Sequence, residues 1–146
     1  DTEIGTGSTN LLLGGYHTGA LSRDGDWGYF VHALWDVPVA SQGGYRPGQE
    51  IDAAAGVVYN GWFVNSGKIR VSPVLQVLAG ARAHDSGPAS NAPNSGYDRV
   101  LVSPGVEIAA GKWNLYGDVE LPIYQHVVGN QLTAPALVKV VVSRAF

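Results

Sequence analysis

The stretch Trp113-Asn114-Leu115-Tyr116-Gly117-Asp118-Val119-Glu120-Leu121-Pro122-Ile123-Tyr124 decides how this chain is to be read. Successive side chains of a β-strand point to opposite sides. A strand here therefore puts Trp113, Leu115, Gly117, Val119, Leu121 and Ile123 on one face, and Asn114, Tyr116, Asp118, Glu120 and Tyr124 on the other. One face carries no charge at all. Working outward, the stretch at 68–83 repeats the pattern, with Ile69, Val71, Leu75, Val77, Ala79 and Ala81 set against Lys68, Arg70, Gln76, Arg82 and His84. Around 27–40, Trp27, Tyr29, Val31, Ala33, Trp35, Val37 and Val39 alternate with Phe30, His32, Leu34 and Asp36. Around 98–110, Val100, Val102, Val106 and Ile108 oppose Arg99, Ser103 and Glu107, and near the end Val138, Val140, Val142 and Phe146 fall in phase.

Helix signals are nearly absent, because Gly and Pro punctuate the sequence and β-branched and aromatic residues fill the intervals. Seven segments of strand length emerge, at about 10–20, 27–40, 50–62, 68–83, 98–110, 112–124 and 132–146. The 146 residues fit one domain, 1–146. Charged residues are 14% of the chain, against roughly 25% in an ordinary soluble domain. Yet no run approaches the ~18 uninterrupted apolar residues of a spanning helix. A membrane role would have to use strands. The net charge of −3 and the scattered Lys and Arg residues argue against nucleic acid as a partner. With no cysteine, a disulfide framework and a thiolate metal site are excluded. No signal peptide opens the sequence, as expected of a mature form or a fragment.

Alternation alone does not separate a soluble barrel or sandwich from a barrel whose apolar side faces lipid. Segment length does, since several segments exceed ten residues, near the ~9–11 a tilted membrane strand needs and above the usual ~5–6. The polar faces also hold few Lys and Glu and many Gly, Ser, Asn and aromatic residues, an odd surface for a soluble sheet. Connections then alternate in length. Ser22–Asp26, Val64–Gly67 and Gly111 mark short turns, whereas residues 41–49 and 84–97 make longer loops. Outer-membrane barrels keep short turns periplasmic and longer loops outside. The loop at 126–130 then falls outside, and the last strand descends to a periplasmic C-terminus at Phe146. The same count puts residues 1–10 in an extracellular loop. Because seven is odd and single-chain bacterial barrels have even strand numbers, further upstream strands of the same protein, or a partner chain, are expected to close the barrel. The expected fold is an all-β, antiparallel up-and-down transmembrane β-barrel, of which this chain is the C-terminal part.

The run Leu115-Tyr116-Gly117-Asp118-Val119-Glu120-Leu121-Pro122-Ile123-Tyr124-Gln125, with Gly129-Asn130-Gln131-Leu132-Thr133 and the terminal Val140-Val141-Val142-Ser143-Arg144-Ala145-Phe146, resembles the end of the outer-membrane transporter-like barrels grouped under the MetA pathway of phenol degradation. Gly5-Thr6-Gly7-Ser8-Thr9-Asn10-Leu11-Leu12-Leu13-Gly14, Tyr45-Arg46-Pro47-Gly48 and Leu101-Val102-Ser103-Pro104-Gly105 are similar to that family as well. The likeness covers nearly the whole chain, as the C-terminal half of a larger member, and rests on the order and spacing of the motifs. It implies an outer-membrane barrel and a channel for small organic molecules. Arg144 departs from the pattern, standing where such barrels place an aromatic; its stem allows it to snorkel to the periplasmic interface.

Several constellations invite other readings. His32 and Asp36 share a face, but four strand residues span ~13 Å, too far for a base and its orienter, and there is no Gly-x-Ser-x-Gly elbow. An enzyme is not expected. His84, Asp85 and Asp98 lack a metal-ligand spacing and read as a solvated loop. Gly5-Thr6-Gly7-Ser8 lacks the Lys and helix of a P-loop and reads as a surface loop. No cofactor is expected. Trp27, Tyr29, Trp113 and Phe146 are the candidate membrane-interface aromatics. Lys68, Arg70, Arg82, Arg99, Glu107, Asp118 and Glu120 are the candidate lumen-facing residues, lining a polar pore or forming a salt-bridged plug, with mixed signs that argue against strong ion selectivity. The expected function is a pore or passive transporter for small molecules, hydrophobic or aromatic ones included, with the lipid bilayer as a partner. Two alternatives stand beside it: a structural or partner-binding barrel with a closed lumen, and a soluble lipocalin-like barrel or sandwich.

Overall fold

The computed structural model describes residues 7–146, which form one antiparallel sheet curled into a half-barrel. Its path runs β1 (Ser8–Ala20), β2 (Trp27–Ser41), β3 (Glu50–Tyr59), β5 (Ile69–Arg82), β6 (Tyr97–Ala110), β7 (Trp113–Val127) and β8 (Leu137–Arg144). A short strand, β4 (Trp62–Val64), lies off this path and pairs with the start of β5. Each path strand hydrogen-bonds to the next, so the sheet is an up-and-down meander. The all-β antiparallel expectation and the seven-segment count both hold. Among the described residues no helix is long and apolar enough to cross a membrane.

Three boundaries differ from the sequence reading, each for a local reason. The segment expected at 50–62 ends as a strand at Tyr59; the Asn60 N–H adds one more bond in the same β2–β3 register, to the Asp26 carbonyl at 2.6 Å, before the chain turns into β4. The last strand starts at Leu137 and not at 132; Pro135, just upstream, has no N–H to give a ladder. At the start, Ser8–Asn10 belong to β1, so the expected outer loop at 1–10 and the Gly5-Thr6-Gly7-Ser8 surface loop do not extend past Gly7, and their residues 1–6 lie outside the described part of the chain.

Two bulges interrupt the ladders, and a proline sits at each. Between β1 and β2 the register moves from Thr9↔Ala40 to Asn10↔Pro38, and between β6 and β7 from Val100↔Tyr124 to Leu101↔Pro122. Proline cannot donate to a ladder and favours edges and bulges, although Pro73 and Pro104 stand opposite Val106 and Leu75 with no register shift; an inserted residue shifts every side chain beyond it to the other face. The second bulge therefore corrects the expected place of Tyr124. It shares a face with Val100, the apolar one, while Gln125, opposite Arg99, takes the polar face.

The short turns lie at one end of the sheet and the long loops at the other. The turn between β4 and β5 runs through Asn65 (φ 52°), Ser66 (φ 54°) and Gly67 (φ 83°). Left-handed backbone costs a non-glycine residue roughly 1–2 kcal/mol, so this turn is held by its pairing strands. At the other end the loops at 42–49, 83–96 and 128–136 are joined to one another. The loop at 83–96 is solvated over most of its length, as expected around His84 and Asp85, and it also hydrogen-bonds to both neighbouring loops.

Candidate functional site

Pairing fixes which side chains share a face. One face collects Asp52, Ala54 and Gly56 of β3, Ser72, Gln76 and Arg82 of β5, Arg99, Ser103 and Glu107 of β6, Tyr116, Asp118 and Glu120 of β7, and Lys139 of β8. Side chains here reach across an intervening strand: Gln76 of β5 meets Tyr116 of β7, and Tyr97 of β6 meets Glu50 of β3. Alternate strands stand ~9–10 Å apart, so such reach marks this as the concave face, where side chains converge. Gly56 contributes to that closeness, since a Cβ there would run into the Phe30 ring that lies over it.

The burial pattern is inverted relative to a soluble protein. Among the described residues the buried apolar side chains include Ala54 and Leu101, whereas Ser72, Gln76, Ser95, Ser103, Asp118 (4% exposed) and Glu120 (8%) are the buried polar ones. On the convex face Val77 is 46% exposed, Val119 38% and Leu121 40%. Leu11, Leu13, Trp35, Ile51, Leu75, Leu115, Val138, Val140 and Val142 are exposed beside them.

Two polar clusters occupy the concave wall. In the one nearer the short turns, the Gln76 amide nitrogen lies 3.3 Å from Ser103 Oγ, 3.0 Å from Tyr116 Oη and 3.1 Å from Asp118 Oδ2. The Tyr116 hydroxyl donates to the same Asp118 oxygen at 2.5 Å. Lys139 Nζ donates to Glu120 Oε1 at 2.7 Å and stands 3.7 Å from Asp118 Oδ2. Arg70 pairs with Glu107 at 3.6 Å. Asp118 Oδ1, Arg70 Nε and Asn114 Oδ1 are buried without a partner. In the cluster nearer the long loops, the Tyr97 hydroxyl donates to Glu50, the Arg99 guanidinium lies 4.7 Å from the centre of the Tyr97 ring, and Arg82 pairs with Asp85 at 2.8 Å.

Asp85 carries this cluster into the loops. Its carboxylate accepts from the Gly48 N–H at 2.8 Å and the Tyr45 hydroxyl at 3.0 Å, in addition to Arg82, and its own N–H donates to Ser95 Oγ at 2.9 Å. Gly48 is required there, because a Cβ would collide with the Ala83 carbonyl. Arg46 and Ser86 exchange two backbone hydrogen bonds of 2.8 Å. The third loop joins through Asn130 N–H to Asn94 Oδ1 (2.8 Å) and Gln131 Nε2 to the Gly96 carbonyl (2.8 Å). Burial pushes the Asp85 carboxyl up, but Gly48, Tyr45 and Arg82 outweigh it and hold Asp85 below the usual carboxylate range. Burial and the neighbouring Asp85 push the Tyr45 phenol up.

Of the seven expected lumen residues, Arg70, Arg82, Arg99, Glu107, Asp118 and Glu120 stand on the concave face. Lys68 is the correction: it lies exposed in the turn before β5, its N–H donating to the Asn65 carbonyl at 3.2 Å. His84 Nδ1 donates to the Ala92 carbonyl at 3.0 Å, while Asp98 is paired with Ala81 on the convex face, so these two do not share a site. Lys139, not singled out from sequence, is the cation between Asp118 and Glu120; Asp118↔Lys139 is a directly opposed pair.

Trp27 and Trp113 are exposed on the convex face at the short-turn end, Tyr29 is half-buried one pair further in, and Phe146 is fully exposed. Tyr59 and Trp62 join that band, Tyr59 with its ring 5.1 Å from Trp27. Trp35 and Tyr124 make a second convex band near the long loops. Arg144 lies over Trp113 and Phe146, 5.3 and 5.7 Å from their ring centres.

No family model, curated protein or solved structure matches the chain. Fold and site together define an antiparallel half-barrel with a polar concave wall and an apolar convex face.

Proposed function

We propose that this chain is the C-terminal part of a bacterial outer-membrane β-barrel that forms a pore or passive path for small molecules. The observation that carries the reading is the inversion of burial: apolar side chains cover the convex face while carboxylates and amides pack on the concave one. Hydrocarbon accepts the first surface without cost, and water exacts a penalty of ~25 cal/mol for each Å² of it left exposed. The two aromatic bands fit the same reading. Trp113 and Tyr124 of β7 stand about ten paired steps apart, which at ~3.3 Å per residue and ~40° of tilt makes ~25 Å, the height of the apolar band of such barrels. In this orientation the short turns and Phe146 are periplasmic, and the joined loops are extracellular.

Both free edges of the half-barrel would leave backbone groups unpaired in lipid, so further strands of the same protein or of a partner chain complete the wall. The resemblance to the barrels of the MetA phenol-degradation grouping belongs to this proposal and points to small organic permeants. The test is to purify the complete protein from the membrane fraction and reconstitute it in lipid vesicles. Extraction only by detergent, with solute permeation through the vesicles, is the expected result; release in soluble form without detergent would return the soluble-barrel reading.

A second reading is a closed, structural or partner-binding barrel. It is favoured by the ion pairs Lys139–Glu120 and Arg70–Glu107 on the concave face. Insertion into vesicles without any permeation would select it.

A further inference from the structure

The short-turn rim of the sheet is not uniform in charge. At the β1–β2 turn Arg23 is accompanied by Asp24 and Asp26, whereas the rim from β4 to β8 carries Lys68, Lys112 and Arg144 and has no Asp or Glu at 62–68, 110–113 or 143–146. One paired row, Val64, Ile69, Ala110, Trp113 and Arg144, crosses this section on the convex face, and Lys68 and Lys112 each stand one residue beyond it. Because β5 and β8 are three strand spacings apart, the backbone positions of the three cations fall within about 14 Å of rim. All three residues are exposed, and among the described residues none of them forms an ion pair. The Ala145 N–H donates to the Lys112 carbonyl at 2.9 Å, which holds Arg144 beside the β6–β7 turn. In the next row towards the middle of the sheet the surface is apolar and open, with Trp62, Leu115 and Val142 exposed.

We infer that this section of rim docks anionic phospholipid headgroups of the leaflet it meets, with Lys68, Lys112 and Arg144 donating to headgroup phosphates while the acyl chains lie over Trp62 and Trp113. The inference rests on the membrane reading. Tryptophan rings settle at the level of the headgroups, and lysine and arginine stems carry their charge from there towards water. Arg144 already holds its guanidinium at ring level, over Trp113 and Phe146. A phosphate oxygen accepts charge-assisted hydrogen bonds from such groups. Phosphatidylcholine offers that phosphate with its own ammonium beside it, so uncompensated cations favour lipids of net negative charge. A carboxylate in the same section would repel the phosphate, as Asp24 and Asp26 do beside Arg23, and the turns of this section have none.

The experiment reconstitutes the complete protein in vesicles of equal parts phosphatidylcholine and phosphatidylglycerol, and compares tryptophan quenching when one or the other lipid is brominated on its acyl chains. Quenching by phosphatidylglycerol is expected to exceed that by phosphatidylcholine about threefold. The excess is expected to fall below about 1.5-fold in Lys68→Gln/Lys112→Gln/Arg144→Gln, and likewise for the wild type in about 1 M sodium chloride, where the Debye length is about 3 Å. Arg23→Gln, in the turn with two carboxylates, is expected to keep it, and sodium phosphate is expected to compete no better than sodium chloride of the same ionic strength. Heat-dependent gel mobility identifies the folded barrel in each case. If inserted wild-type protein shows no preference, if salt leaves the preference intact, if the folded triple variant retains it or if Arg23→Gln removes it equally, the headgroup dock is overturned and the membrane reading stands. Selective competition by phosphate would make the rim a site for the free anion and overturn the lipid assignment. If wild-type protein does not enter the vesicles, the membrane reading falls and takes the dock with it.

Discussion

Val119 and Glu120 are neighbours in one strand and live in opposite surroundings. Val119 is exposed on the convex face, whereas Glu120 is 8% exposed and bound to Lys139 on the concave one. In a soluble sheet the valine would be the buried member of such a pair. The comparison between the two faces teaches that the interior of this half-barrel is held by hydrogen bonds and ion pairs, and that its apolar residues serve the outside. Packing and polarity have exchanged places, while the backbone pairing that joins the strands is ordinary.

The strongest way to break the comparison is to put a charge on the wrong face. Val119→Arg is expected to cost about 2–4 kcal/mol of barrel stability in vesicles, the penalty of a cation near the bilayer midplane, read as a lower urea midpoint for unfolding. Glu120→Gln, one residue along, is expected to leave insertion intact, because its side chain is buried on the concave face. Equal losses from both would erase the difference between the faces.

The joined loops carry the next effect. Asp85→Ala removes the acceptor shared by Gly48, Tyr45 and Arg82, and leaving part-buried donors unpaired costs roughly 1–3 kcal/mol. The loss is local, so protease cleavage within 83–96 should rise several-fold while the strands stay intact. The pH dependence follows from the depressed Asp85 carboxyl. A group whose folded pKa is lowered adds stability that is present above its unfolded value, ~3.9, and is lost as pH falls through the lower folded value. Loop protection is therefore expected to persist at pH 5 and to fail only below the usual carboxylate range. Loss of protection already at pH 5 would count against Asp85 as the joint.

Much of this was legible in the residues alone. Period-two alternation is a property of one strand, independent of its partner, so the faces of β2, β5 and β7 could be drawn before any pairing was known. What escaped depended on a neighbour. Tyr124 changes face because an inserted residue shifts the β6–β7 register beside Pro122, and nothing within β7 alone marks that shift. Lys68 continued the alternation of β5 on paper, but the left-handed run Asn65-Ser66-Gly67 carries the turn one residue further than expected. The loop plate is built by residues 40 apart, Tyr45 and Asp85, a separation at which composition says only that a loop is polar. The apolar phase of Val138, Val140 and Val142 gives no sign of Lys139, whose importance comes from standing opposite Asp118.

Lys139 sharpens the comparison from the concave side. It is the partner of both Glu120 and the fully buried Asp118 side chain, yet is itself 48% exposed. Removing one member of a buried ion pair costs roughly 3–5 kcal/mol, and solvent reaching half of the ammonium cuts that to about 1–2 kcal/mol. Lys139→Met, which keeps the stem, is expected to lower the urea midpoint by that amount, and Lys139→Arg to restore most of it.

The smallest effect lies at the rim, where the convex face ends. Arg144 occupies a position at which lipid-facing strands favour an aromatic, but its guanidinium rests 5.3 Å from the Trp113 ring centre and 5.7 Å from that of Phe146. A cation over an exposed ring contributes about 0.5–1 kcal/mol, and the head remains close enough to the turn end to stay hydrated. Arg144→Leu loses the ring contact and gains apolar surface at the interface, two changes of opposite sign. The expected outcome is a shift of no more than about 1 kcal/mol in either direction. Trp113→Ala in the Arg144→Leu background should then cost less than Trp113→Ala alone, by the coupling between cation and ring. Equal costs in the two backgrounds would mean that the arginine is tolerated at the rim without being held there.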